Sequence, residues 1–220
     1  MYEFTKNSQK GMRSMKKKIS RMLVCFLMVF TLVAGTAVEA SAAISFQGIY
    51  ALSNGKVRFK ISKATKGEAK VKYTFQNIYN GNKYSKTTTY TTLDYALARN
   101  MWYRTTVTGY NTSGKKVSSR TLYTCNAPKV SLSLYGSSRM KVTWPRAYGS
   151  SGYMVYMSSD GGNTFRCVKV TTGNTYITGT LTKYKNYYFF VRPYKNYGGT
   201  KYYGAKPAYS YGAYIYTTYR

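Results

Sequence analysis

The sequence predicts an all-β chain of two tandem units behind an N-terminal export segment. Three observations predict it. First, strand formers alternate with turn formers: 27 of the 220 residues are Tyr, and clusters of Gly, Ser, Thr and Asn separate short β-branched and aromatic runs. Second, several runs alternate apolar and polar residues with period two, as a strand with one buried face does. Third, the pattern recurs. Leu97, Tyr103, Val107 and Gly109 reappear as Leu181, Tyr187, Val191 and Pro193 at an offset of 84, and Lys56-Val57-Arg58-Phe59 answers Lys141-Val142-Thr143-Trp144 at 85. Distant anchors with nearly equal offsets indicate an internal repeat.

Residues 1–42 read as a signal-peptide helix. Met15–Arg21 is a cationic stretch, Met22–Gly35 is apolar, and Ala40-Ser41-Ala42 offers small residues for cleavage. The uncharged run Met22–Val38 is at the short edge for a membrane span, so contact with the membrane is expected only through this segment. The basic cluster stays inside and the remainder is exported. Translation starts at Met1, Met12 or Met15.

The first unit is expected over 43–126. Ile44–Tyr50 reads as a strand and Ser53-Asn54-Gly55 as a turn. Lys56–Ser62 points Val57, Phe59 and Ile61 inward and Lys56, Arg58 and Lys60 outward. Ala69–Asn77 does the same with Val71, Tyr73 and Phe75 against Lys70 and Lys72. Asn80-Gly81 signals a hairpin. Thr87–Thr92 is expected as a strand, and Met101–Tyr110 with Lys115–Thr124 as a hairpin about Thr112-Ser113-Gly114. Pro128, which lacks an N–H donor, marks the passage to the second unit at 127–220. Its expected strands are Lys129–Tyr135, Arg139–Trp144, Tyr153–Ser158, Thr164–Thr171, Tyr187–Tyr194 and a last one running through Tyr202 towards Tyr209.

In the second unit Val142-Thr143-Trp144, Gly152-Tyr153-Met154-Val155-Tyr156, Leu181, Tyr187 and Val191 together resemble the fibronectin type III domain, in the form common in secreted proteins of Gram-positive bacteria. The resemblance implies two tandem immunoglobulin-like β-sandwiches of seven strands each. It places Trp144, Tyr153, Leu181, Tyr187 and Val191 in one core, with Leu97, Tyr103 and Val107 at matching positions of the other. It covers 127–220 more fully than 44–126, where Phe59 stands in place of the usual Trp and Thr105 takes a core-facing position. A Leu followed six residues later by a Tyr also resembles a tyrosine corner, in which a core ring sends its hydroxyl to nearby backbone.

Composition argues against catalysis. The chain has no His, the common general base and metal ligand near neutral pH. Beyond residue 42 the acids are Glu68, Asp94 and Asp160, too scattered for paired-carboxylate hydrolysis, and Asp160 reads as a turn former. Ser53-Asn-Gly-Lys56 and Ser113-Gly-Lys-Lys116 match a Ser-x-x-Lys string, but both fall in hairpin turns. Cys125 and Cys167 read as free thiols in different units. No catalytic residue, metal site, cofactor or small-molecule substrate is expected.

Charge points elsewhere. Seven basic residues and two acids precede position 43, which leaves 27 basic residues against three acids. Such a chain attracts polyanions. Two candidate binding sets follow: the outward basic residues Lys56, Arg58, Lys60, Lys70 and Lys72, and an aromatic–cationic face of Tyr156, Tyr188, Phe190, Arg192 and Tyr194 beside Met154. The function expected is a secreted, non-enzymatic module binding an anionic cell-wall polymer or glycan, held at the cell surface by charge. A structural spacer without a specific ligand and an extracellular nucleic-acid binder are the alternatives. The sequence is silent on oligomeric state.

Overall fold

The computed structural model describes residues 43–65 and 67–215; the signal-peptide helix expected over 1–42 lies outside the described residues. The first seven strands are β1 (Ser45–Ala51), β2 (Lys56–Ser62), β3 (Lys70–Asn77), β4 (Lys83–Thr88), β5 (Thr92–Ala96), β6 (Trp102–Tyr110) and β7 (Lys116–Cys125). They form two antiparallel sheets, β1-β2-β5 and β4-β3-β6-β7. Period-two burial explains the layering. On β2, Val57, Phe59 and Ile61 are buried while Lys56 and Lys60 are exposed; on β3, Val71, Tyr73 and Phe75 are buried while Lys70 and Lys72 are exposed. The inner faces meet in an aromatic core, where Phe59 lies 5.9 Å from Tyr73 and 5.3 Å from Phe75. Each such ring removed from water stabilises the fold by about 1.5–3 kcal/mol.

The second set is β8 (Ser131–Tyr135), β9 (Arg139–Thr143), β10 (Gly152–Ser158), β11 (Arg166–Thr171), β12 (Thr175–Ile177), β13 (Lys185–Tyr197), β14 (Thr200–Tyr203), β15 (Lys206–Pro207) and β16 (Tyr211–Ile215). One sheet is β12-β9-β8. The other is β11-β10-β13, with β14 pairing one half of β13 and β16 the other. Its core holds Met140, Val142, Trp144, Tyr153, Val155, Leu181, Tyr187, Phe189 and Val191. The Trp144 ring meets Tyr153 edge-on at 5.6 Å.

Both Leu–Tyr spacings form the same device. The Tyr187 hydroxyl accepts the Thr182 N–H at 3.0 Å, and the Tyr103 hydroxyl reaches the backbone of Ala98, each one residue beyond its Leu. Tyr187 is buried, so Tyr187→Phe leaves the Thr182 N–H unpaired. A loss of about 1 kcal/mol is expected, read as a lower urea midpoint at unchanged slope.

Two expectations about strands are corrected, and one strand is added. Thr87–Thr92 is not one strand: Thr87 and Thr88 end β4, residues 89–91 carry the chain to the opposite sheet, and Thr92 begins β5. The run has β-branched residues but no apolar alternation to hold it on one sheet. The strand β12 went unforeseen because it is three residues long. The last strand does not run unbroken to Tyr209. It breaks at Gly204, and the chain leaves its own sheet to pair β15 in parallel with β1, Tyr50 opposite Lys206 and Ala51 opposite Pro207.

That excursion binds the two halves together. Ala205 N–H donates to Cys125 O and Ala208 N–H to Ala51 O, both at 2.8 Å. Ala205 is buried in the first core, while Trp102 and Cys125 of the first half are buried in the second. Arg99 Nη1 donates to Ala127 O at 2.9 Å, while Asn126 Nδ2, at the end of the first half, donates to Gly55 O and Leu97 O of that half. Further along, the Tyr123 ring packs on Tyr197 and Tyr202 at 4.8 and 5.1 Å.

Candidate functional site

The basic residues of the first half fall into two groups. Lys56, Arg58 and Lys60 stand on the outer face of the β1-β2-β5 sheet, whereas Lys70 and Lys72 stand on the outer face of the opposing sheet. Because the sheets lie back to back, these five residues do not share one surface. Arg58, expected as a binding residue, is already engaged. Its Nε and Nη2 hold both carboxylate oxygens of Asp94 at 2.7 Å, across the β2–β5 register. That hydrogen-bonded pairing holds the Asp94 carboxyl below the usual carboxylate range.

On the second half, strand register brings the aromatic set together. Across β10 and β13, Met154 faces Arg192, Tyr156 faces Phe190, Ser158 faces Tyr188 and Gly152 faces Tyr194. Phe190, expected on an open face, is only 4% exposed. It is stacked on Tyr156 at 4.6 Å and covered by Phe165 at 4.9 Å. Arg192 is half-buried, its Nε donating to Gly204 O at 2.7 Å and its guanidinium 5.0 Å from the Tyr203 ring centroid. Burial moves its pKa down. The Tyr194 ring lies flat across Gly152, where a Cβ would come within 2.6 Å of the hydroxyl, and Lys201 Nζ sits 4.1 Å from its centroid.

The break in the last strand creates a third feature. A cleft of about 380 Å³ opens between the halves, lined by Tyr50, Gly162, Asn163, Phe165, Phe190 and the segment 206–210. Phe190, of the aromatic set, lines it, and Lys60 Nζ lies 6.0 Å from the ring centroid of Tyr50, one of its walls. Tyr50, Phe165, Lys206 and Tyr209 escaped sequence reasoning, because only the β1–β15 pairing makes them neighbours. No motif spacing could have found them.

The acids beyond residue 42 are all engaged within the fold. Asp94 holds Arg58. Asp160 caps its own turn, accepting from Ser158 Oγ at 2.5 Å and from the Thr164 N–H at 3.0 Å, and these bonds hold its carboxyl well below the usual range. Glu68 is 2% exposed and accepts from Ser118 Oγ. Cys125 and Cys167 are both free thiols, Cys125 buried and Cys167 exposed, so the first is more buried and the second more open than a half-buried pair. Burial pushes the Cys125 thiol up, away from thiolate chemistry.

Strand order decides the fold. In each half a three-stranded sheet of the first, second and fifth strands faces a sheet that sets the third and sixth strands side by side, with the fourth on one edge and the last on the other. Both halves are fibronectin type III-like sandwiches. No protein-family model matches the tandem, and no curated protein matches it. Among solved structures, the chicken CNTN1 FN1-FN3 domains are 15% identical over 79% of this chain with a TM-score of 0.33, and the tandem spans 64% of that chain. A two-domain fibronectin type III segment from chicken tenascin is 15% identical, covering 73% of this chain and 95% of its own, at a TM-score of 0.32. A cytokine receptor complex is 13% identical, covering 80% and 97%, at 0.44.

Proposed function

We propose that the protein is an exported, non-enzymatic binding module for anionic polymers of the cell surface, such as phosphate-bearing wall polymers or acidic glycans. One observation carries this reading: residues 43–215 hold three carboxylates, Asp94 paired with Arg58, Glu68 buried and Asp160 bonded within its own turn, while Lys56, Lys60, Lys70, Lys72, Lys201 and Lys206 face water. The surface field is therefore positive and uncompensated, and an unpaired charge of this kind stays at the surface because burying it is too costly. The order of basic, apolar and small residues in 15–42 supports export.

Binding of this type releases counterions. If four anionic groups are neutralised, affinity falls about 100-fold between roughly 50 and 200 mM salt, by analogy with nucleic acid. The expected result is that the purified protein co-sediments with anionic wall material at low salt and elutes as salt rises. Replacing Lys56, Lys60 and Lys72 by Gln lowers the salt slope with an unchanged circular dichroism spectrum. Retention on a neutral glucan equal to that on a polyuronate, or binding indifferent to salt, refutes the reading. Failure to bind any polymer leaves a spacer, and preference for single-stranded DNA over both polymers leaves a nucleic-acid binder.

A further inference from the structure

We infer that the cleft between the sandwiches binds a single acidic sugar unit, stacking its ring on Tyr50 and Phe165 and pairing its carboxylate or phosphate with Lys206. The inference rests on the polyanion-binding reading and narrows it, from bare charge to a shaped site for one unit of an anionic glycan.

The cleft has the size of a small-molecule site and lies where such sites concentrate, between two packed bodies. Its walls are rings held in place by the fold. The Tyr50 ring lies flat on its own strand, over Gly48, where a Cβ would come within 2.4 Å of it. Phe165 packs on Phe190, and Tyr209 is fixed by a 2.9 Å hydrogen bond from Arg99 Nη1 to its hydroxyl. Rings already ordered lose little entropy on binding, which favours a flat apolar partner.

Polarity selects among flat partners. Lys206 is the one charged residue lining the cleft. It is exposed, stands beside Tyr50 through the β1–β15 register, and has no carboxylate partner among the described residues. Lys60 Nζ lies 6.0 Å from the centroid of the same ring. Asn163 and Ser210 add hydrogen-bonding groups at the rim. A pyranose offers an apolar face for the rings and hydroxyl edges for Asn163 and Ser210. Its acid group supplies the counter-charge that Lys206 lacks, through a charge-assisted hydrogen bond.

The test is an amide chemical-shift titration of the full chain with three probes: glucuronic acid, glucose 6-phosphate and glucose. Both acidic sugars are expected to shift the Gly162, Asn163 and Ser210 amides and to bind about 10-fold more tightly than glucose, as one charged hydrogen bond allows. Lys206→Gln, at an exposed position that leaves the fold intact, removes that preference. Phe165→Ala weakens all three sugars, and Lys86→Gln, on the far sheet, changes none. If no sugar shifts those amides, if glucose binds equally well, or if Lys206→Gln has no effect, the cleft is not an acidic-sugar site. A response to only one acidic probe assigns the acid group as carboxylate or phosphate. Salt-sensitive polymer retention that survives Lys206→Gln and Phe165→Ala undiminished overturns the cleft alone. Loss of polymer retention with sugar binding intact overturns only the polymer reading.

Discussion

Trp102→Ala is expected to destabilise the protein by about 3–5 kcal/mol, the cost of removing a large buried ring whose surroundings relax incompletely. Trp102 opens β6 of the first sandwich, is fully buried, and belongs to the core of the second. Its indole N–H donates to Ser150 Oγ at 2.8 Å, and its carbonyl accepts the Ile78 N–H. Beside it, Tyr148 N–H reaches Asn100 O at 2.8 Å and the Tyr79 and Tyr148 rings meet at 4.4 Å. One side chain thus fills a core to which its own sheet does not belong. The unaltered protein is therefore expected to unfold in urea as one transition, whereas Trp102→Ala lowers the midpoint and separates two. A loss below about 0.5 kcal/mol, the range usual for surface changes, or two transitions before any substitution, contradicts the shared core.

Gly204→Val is expected to cost about 1–3 kcal/mol through overpacking and to abolish sugar binding in the cleft. Gly204 is buried where the last strand leaves β13. A Cβ there would lie 2.8 Å from Pro193 Cγ and 3.1 Å from the Cys125 carbonyl oxygen, so ring and backbone would both have to move. The next residues make the crossing: Ala205 N–H to Cys125 O, then β15 along β1. Moving Gly204 outward draws β15 off β1 and Lys206 away from Tyr50. Circular dichroism should keep its β signal, since β14 and β16 pair with β13 independently. The Ala208 amide, bonded to Ala51 O, should lose its hydrogen-exchange protection. Full protection at Ala208 with sugar binding intact would show that the crossing does not shape the cleft.

By itself the sequence determined the inside of each sandwich. Period two decides which face of a strand is buried, and a one-residue slip would exchange Val57, Phe59 and Ile61 for Lys56, Arg58 and Lys60. The Leu–Tyr spacing marked Tyr103 and Tyr187, because a tyrosine corner is a local contact whose hydroxyl bonds backbone five residues away. The same alternation put Met154, Tyr156, Phe190 and Arg192 on one face, and register then joined them. Tertiary structure alone decided the rest. Alternation assigns Phe190 to an outer face, yet it is buried, because Phe165 from another strand's approach covers it. Composition counts Arg58 as a free cation, and only the β2–β5 pairing brings Asp94 to it. The cleft itself joins Tyr50 to Lys206 across 156 residues of chain through two backbone pairs. Local pattern encodes which way a side chain points within its own strand. It does not encode what distant segment arrives above it, which depends on where the chain crosses between sheets and which unpaired edge it meets.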